Sequence, residues 1–107
     1  MKEIIVSTTS EIPGRKVARI LDVVKGNTVR SRNVGRDIGA GFKRLIGGEV
    51  KTYTDMISHA RDEAFNRMVN EAVELGADAI IGMKFTTSMV MQGASEILAY
   101  GTAVKLN

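Results

Sequence analysis

The chain has 107 residues, 44% hydrophobic and 25% charged, with a formal net charge of +3, 11 glycines, one proline and no cysteine. That length holds one hydrophobic core and not two, so a single domain over residues 1–107 is expected, and the composition excludes a disordered tail. Absence of Cys excludes disulfides, thiolate catalysis and zinc sites built on sulfur.

From the N-terminus, "MKEIIVSTTS" carries one Lys and only three consecutive apolar residues, unlike a secretory signal, and a cytoplasmic protein is expected. The run "EIIVSTT" (3–9) reads as a short strand, and Pro13-Gly14 as the turn after it. Over "RKVARILDVVKGNTVRSRNV", Val17, Arg19, Leu21 and Val23 share one parity while Ala18, Ile20, Asp22 and Val24 share the other. A long strand, apolar on much of both faces, fits this pattern. Within it "KGNT" (25–28) is compatible with a hairpin turn or with a bulge in a continuing strand, since Gly26 and Asn27 both tolerate positive φ.

Next comes "GRDIGAGFKRLIGGE" (35–49), with five glycines; between Lys25 and Lys51 seven Lys or Arg face two carboxylates, so the basic surplus is concentrated here. A Walker loop requires a hydroxyl after its Lys, and Lys43 is followed by Arg44. A dinucleotide fingerprint starting at Gly39 and Gly41 would need glycine where Arg44 stands. Both motifs fail. A short helix over Phe42–Ile46, closed by Gly47-Gly48, would still present amides to a small anion, with Arg36, Asp37, Gly39, Gly41, Lys43, Arg44, Gly47 and Gly48 as the candidate ligand-binding residues. The competing and preferred reading is a tight packing turn with solvated cations.

"TYTDMISHARDEAFNRMVNEAVELGAD" reads as a helix starting at a capping-box-like Thr52-x-x-Asp55 and ending at Gly76. Ile57, Ala60, Ala64, Met68, Ala72 and Leu75 follow helical spacing, and Met56, Phe65, Val69 and Val73 widen the apolar surface beyond what one sheet covers. The rest forms two strands joined near Gln92-Gly93-Ala94, with Ile81, Met83, Phe85, Thr87, Met89 and Met91 on one parity of the first and Leu98, Tyr100, Thr102, Val104 and Leu106 on one parity of the second. The expected fold is therefore α+β and two-layered, with one long helix on an antiparallel sheet. The longest uncharged run, Phe85–Ser95, is too short and too polar for a membrane span.

Catalytic constellations are not evident. His59 is the sole histidine, with Asp55, Asp62 and Glu63 at helical spacings, and reads as part of a solvated face rather than a metal site. The hydroxyl runs "STTS" (7–10) and "TTS" (86–88) have no histidine partner. Met83, Met89 and Met91 read as core packing before soft-metal ligands. Arg30, Arg32, Arg36, Lys43 and Arg44 form a basic patch containing one aromatic residue, Phe42, so a nucleic-acid platform is not expected.

Together, "GRDIGAGFKRLIGGE", Tyr53, Ala60-Arg61, Ala64, "LGADAIIG" (75–82) and "YGTAV" (100–104) make the chain resemble the YbjQ family, small prokaryotic proteins labelled heavy-metal-binding, over nearly its whole length. The resemblance implies a dodecin-like β-α-β-β subunit, here with a glycine-rich insertion before the helix, assembled into a ring of five. The leading expectation is a cytoplasmic ring protein, structural or binding a small anion or other small ligand, with no cofactor identified. A metal-binding module is the second reading and a small enzyme the third.

Overall fold

The computed structural model describes residues 3–31, 48–91 and 94–107. Strand β1 (Ile5–Val6) and the long strand β2 (Val17–Ser31) precede helix α1 (Gly48–Glu74), which is followed by β3 (Ala79–Met91) and β4 (Ala94–Leu106). The described sheet has the order β1-β3-β4-β2, with β4 antiparallel to both β2 and β3 and the two-residue β1 parallel to β3. The fold is α+β as expected, and from β2 onward its order is β-α-β-β; the sheet is mixed rather than wholly antiparallel because of β1.

Helix α1 begins at Gly48, so Thr52 lies a turn inside it and is not its N-cap. Its other end is as read from the sequence. Gly76 has φ 76°; its N–H donates to the Val73 carbonyl at 3.0 Å and that of Ala77 to Ala72 at 3.1 Å. This is a Schellman closure, which a glycine in the left-handed region completes without steric strain.

At residues 25–28 the chain neither turns nor bulges. Lys25, Gly26, Asn27 and Thr28 pair in unbroken register with Tyr100, Ala99, Leu98 and Ile97. Glycine is needed there because a Cβ on Gly26 would collide with the Ala64 carbonyl and lie 2.5 Å from the Met68 nitrogen and 2.7 Å from the Arg67 Cβ. The helix backbone rests directly on the strand at this point. Two residues on, Thr28 is buried and its Oγ1 donates to the Ala60 carbonyl at 3.1 Å.

Close approach also explains the alanines. Ala60, Ala64, Met68 and Ala72 are fully buried and meet Val24 from β2, Ile80 and Met83 from β3, and Ile97, Ala99 and Ala103 from β4. Small residues on both layers bring the helix down onto the sheet, and Met68 fills the remaining volume. Ile57, Phe65 and Val69 pack against the margin of this core, whereas Val73 and Leu75 are exposed. The helix lies mainly over β2 and β4 and scarcely over β3.

Irregularities in register decide which side chains face the helix. On β3 a shift between Ile81 and Lys84 accompanies Gly82 at φ 61°. The extra residue flips the alternation, so Ile80 and Met83 both enter the core while Ile81 does not. The expected shared face of Ile81 and Met83 is thus corrected. On β2, shifts fall between Val17 and Arg19 and between Ile20 and Asp22; at the second, the Asp22 carboxylate accepts the Val23 N–H at 2.8 Å.

Candidate functional site

The bulges on β2 assemble a surface that alternation alone would have scattered. Val17 pairs with Leu106, Ile20 with Val104, Val23 with Thr102 and Val29 with Glu96. Opposed residues in an antiparallel pair share a sheet face, and these four partners have the parity opposite to Ile97, Ala99 and Ala103, which face the helix. Val17, Ile20, Val23 and Val29 therefore line the helix-free face of an outer strand, and they are 37%, 66%, 59% and 51% exposed. Lys25 and Asn27 interrupt the row.

A second apolar surface lies diagonally opposite. Phe85 pairs with Ala99 and Met89 with Ser95, which places both on the helix-facing side of β3, yet they are 44% and 76% exposed because the helix is displaced toward β2. Arg67 marks the outer flank of the helix: its Nη1 donates to the Asn27 carbonyl at 2.5 Å and its Nη2 pairs with Glu63 at 2.6 Å. Helical spacing puts Phe65 and Val69 on the flank away from Arg67, toward β4 and β3. Phe65 and Val69 at the margin of the core, and Phe85 and Met89 on β3, are thus apolar groups on the helix side of the sheet, with the exposed Thr87 between the last two.

Methionine placement divides the expectation of core packing. Met83 is buried as expected, but Met89 and Met91 are exposed, and that part of the reading is corrected. Met91 lies beyond a further register shift and pairs with Ala94.

Of the candidate ligand-binding residues, Gly48 is the first residue of α1. Arg36, Asp37, Gly39, Gly41, Lys43, Arg44 and Gly47 lie outside the described residues, as do Arg32 and Phe42 from the basic patch. Asp55, His59 and Asp62 are exposed, and Glu63 is engaged by Arg67. Among the described residues no group of three or more His, Cys, Asp or Glu is placed to hold a metal ion.

The N-terminal hydroxyls serve the fold. Ser7 Oγ and Thr9 Oγ1 are 2.5 Å apart, and Thr9 Oγ1 donates to the Glu11 carbonyl at 2.6 Å. Their backbone carbonyls accept the N–H groups of Met83 at 3.0 Å and Gly82 at 2.9 Å, fastening the chain beside the β3 bulge. Among the described residues no buried side-chain polar atom lacks a hydrogen-bond partner.

The segments "LGADAIIG" and "YGTAV" have structural roles on every side. Gly76 closes the helix, Gly82 makes the bulge, and Asp78 Oδ2 accepts the Leu106 N–H at 2.8 Å while its Oδ1 lies 3.9 Å from Lys105 Nζ. A Cβ on Gly101 would stand 2.6 Å from Ile80 Cγ2. No helix among the described residues is long and apolar enough to cross a membrane.

Known proteins agree on the architecture. A family model described as "Putative heavy-metal-binding" matches residues 4–107. A UPF0145 protein of Archaeoglobus fulgidus is 59% identical over 105 residues, covering 98% of this chain and 97% of its own. A UPF0145 protein of Photobacterium profundum is 61% identical over 99 residues, covering 92% and 96%. Among solved structures, a protein of unknown function from Pediococcus pentosaceus, assigned to the DUF74 family, superposes with a TM-score of 0.64 at 21% identity, covering 97% of this chain and 98% of that one. With a match across nearly all its length and relatives at this level of identity, the chain belongs to the YbjQ family.

Proposed function

We propose that the protein is a cytoplasmic subunit of a closed homo-oligomeric ring, most simply a pentamer, that serves as a scaffold or binds a small anion. The observation that supports assembly is surface. In the single chain Val17, Ile20, Val23 and Val29 on the helix-free face of β2, and Phe85 and Met89 on β3, are exposed apolar side chains. The ring-of-five expectation supplies the number of copies, and the glycine-rich stretch, with Arg36, Asp37, Gly39, Gly41, Lys43, Arg44, Gly47 and Gly48, is the proposed contact or anion-binding segment.

Metal binding is the second reading, favoured by the description of the family model. The two are separated by native mass spectrometry combined with elemental analysis of untagged protein. The ring reading expects an assembly without stoichiometric metal. One or more equivalents of a transition metal per chain, retained through gel filtration, would put the metal reading first.

A further inference from the structure

The ring reading gives no role to the polar part of the helix-free sheet face. We propose that this face binds single-stranded nucleic acid, one base stacking on Tyr100 while the phosphates on either side of it pair with Lys25 and Lys84.

Strand register puts the three residues in one row. Tyr100 stands on β4, the central strand of the three long ones, and pairs with Lys25 on β2 and with Lys84 on β3. Opposed residues share a face, and Tyr100 has the parity opposite to the helix-facing Ile97, Ala99 and Ala103. Lys84 joins the row only through the bulge at Gly82; strict alternation from Ile81, which lies on the helix-free face opposite Thr102, would send it to the helix side. Both lysines are exposed, Tyr100 is half-buried, and among the described residues neither ammonium is in an ion pair. The rows on either side, Val23, Thr102 and Ile81 and then Asn27, Leu98 and Thr86, carry no charge. On this face of β2, β3 and β4 the carboxylate closest in register is Glu96, two rows away, and it accepts a hydrogen bond from Asn27 Nδ2 at 3.1 Å.

An aromatic ring with a cation on each side, clear of carboxylates, selects its occupant by charge and shape. A plain anion would use the lysines and not the ring, and a mononucleotide carries phosphate on one side of its base. A nucleotide within a strand carries phosphate on both sides, which matches a ring flanked by a lysine at a strand spacing of about 5 Å in each direction. Aromatic residues on an open face stack bases with little regard to sequence, whereas the bases of a duplex are already stacked on one another. The net charge of +3 has the sign that such a strand requires. Dispersed along the chain, Lys25, Lys84 and Tyr100 make a basic, aromatic surface only through strand pairing, which is why no nucleic-acid platform is expected from the sequence.

Fluorescence anisotropy of a labelled oligothymidylate titrated with the full chain tests this. Binding is expected, and it should weaken with salt. Lys25→Gln and Lys84→Gln are each expected to flatten the slope of log affinity against log salt by about 0.7, the loss of one phosphate contact. Tyr100→Leu is expected to weaken binding by about 5- to 150-fold, the loss of one stacked base, while Tyr100→Phe stays near the unsubstituted protein. Far-UV circular dichroism checks the fold of each variant; if Tyr100→Leu loses that signal, the two lysine variants, at exposed positions, carry the test. Lys43→Ala and Arg44→Ala, in the glycine-rich segment, should leave the slope unchanged. The inference is overturned if the oligomer does not bind at low salt, or if Lys43→Ala and Arg44→Ala flatten the slope while Lys25→Gln and Lys84→Gln do not. Thymidine monophosphate binding as tightly as the oligomer would also overturn it.

Discussion

Gly26 shows how a single residue can be misread locally and explained only by its distant neighbours. In the sequence its neighbours Lys25, Asn27 and Thr28 suggest a turn or bulge. In the structure it sits in regular strand pairing, and its missing side chain admits the backbone of a helix some 40 positions further on. That reason is invisible to local pattern, because composition shows that a side chain is absent and not what occupies its place. Gly26→Ala should therefore destabilise by about 3 kcal/mol, at the upper end of overpacking effects, since backbone atoms cannot rotate away. Urea unfolding would check this, and a midpoint unchanged within error would contradict it. Thr28→Val, which keeps the shape and removes only the bond to the Ala60 carbonyl, is expected to lower stability by roughly 0.5–1.5 kcal/mol.

Among the elements, the helix was the most legible and the strand faces the least. Ala60, Ala64, Met68 and Ala72 announced the buried stripe through their spacing, and Gly76 announced its end. The start was misplaced because Gly48 is a poor helix former and Thr52 a good cap, so propensity favoured a later beginning than the one observed. Strand faces followed alternation only between bulges. Three register shifts move Val17, Ile20 and Val23 onto one face and Ile80 and Met83 onto another, and only the glycine at position 82 signals any of them in the sequence. Helix packing offers a direct check: Met68→Ala should cost about 2–5 kcal/mol, because the surrounding alanines are too short to fill the vacated volume. Val73→Ala, at an exposed site on the same helix, should leave the isolated subunit within about 0.5 kcal/mol. Equal losses at the two positions would contradict the orientation of the helix.

For the molecule as a whole, fold class and family were legible because both rest on patterns spread along the chain, whereas the candidate site was not. Its basic, glycine-rich residues match no complete motif, and the surfaces that the structure does define become visible only when bulges and helix displacement are known. Two kinds of substitution separate a packing turn from an anion site. Gly39→Val and Gly41→Val are expected to lower the assembly's melting temperature by more than Lys43→Ala and Arg44→Ala do, since Val resists positive φ and crowds close contacts. Loss of salt-sensitive phosphate binding in the charge variants, with the glycine variants fully stable, would instead identify a binding loop.

Self-association is the claim on which the remaining readings depend, and the mass of the untagged protein in solution tests it most directly. Light scattering coupled to gel filtration at micromolar concentration should give five times the chain mass of 11.6 kDa. A single species at the mass of one chain would contradict the account.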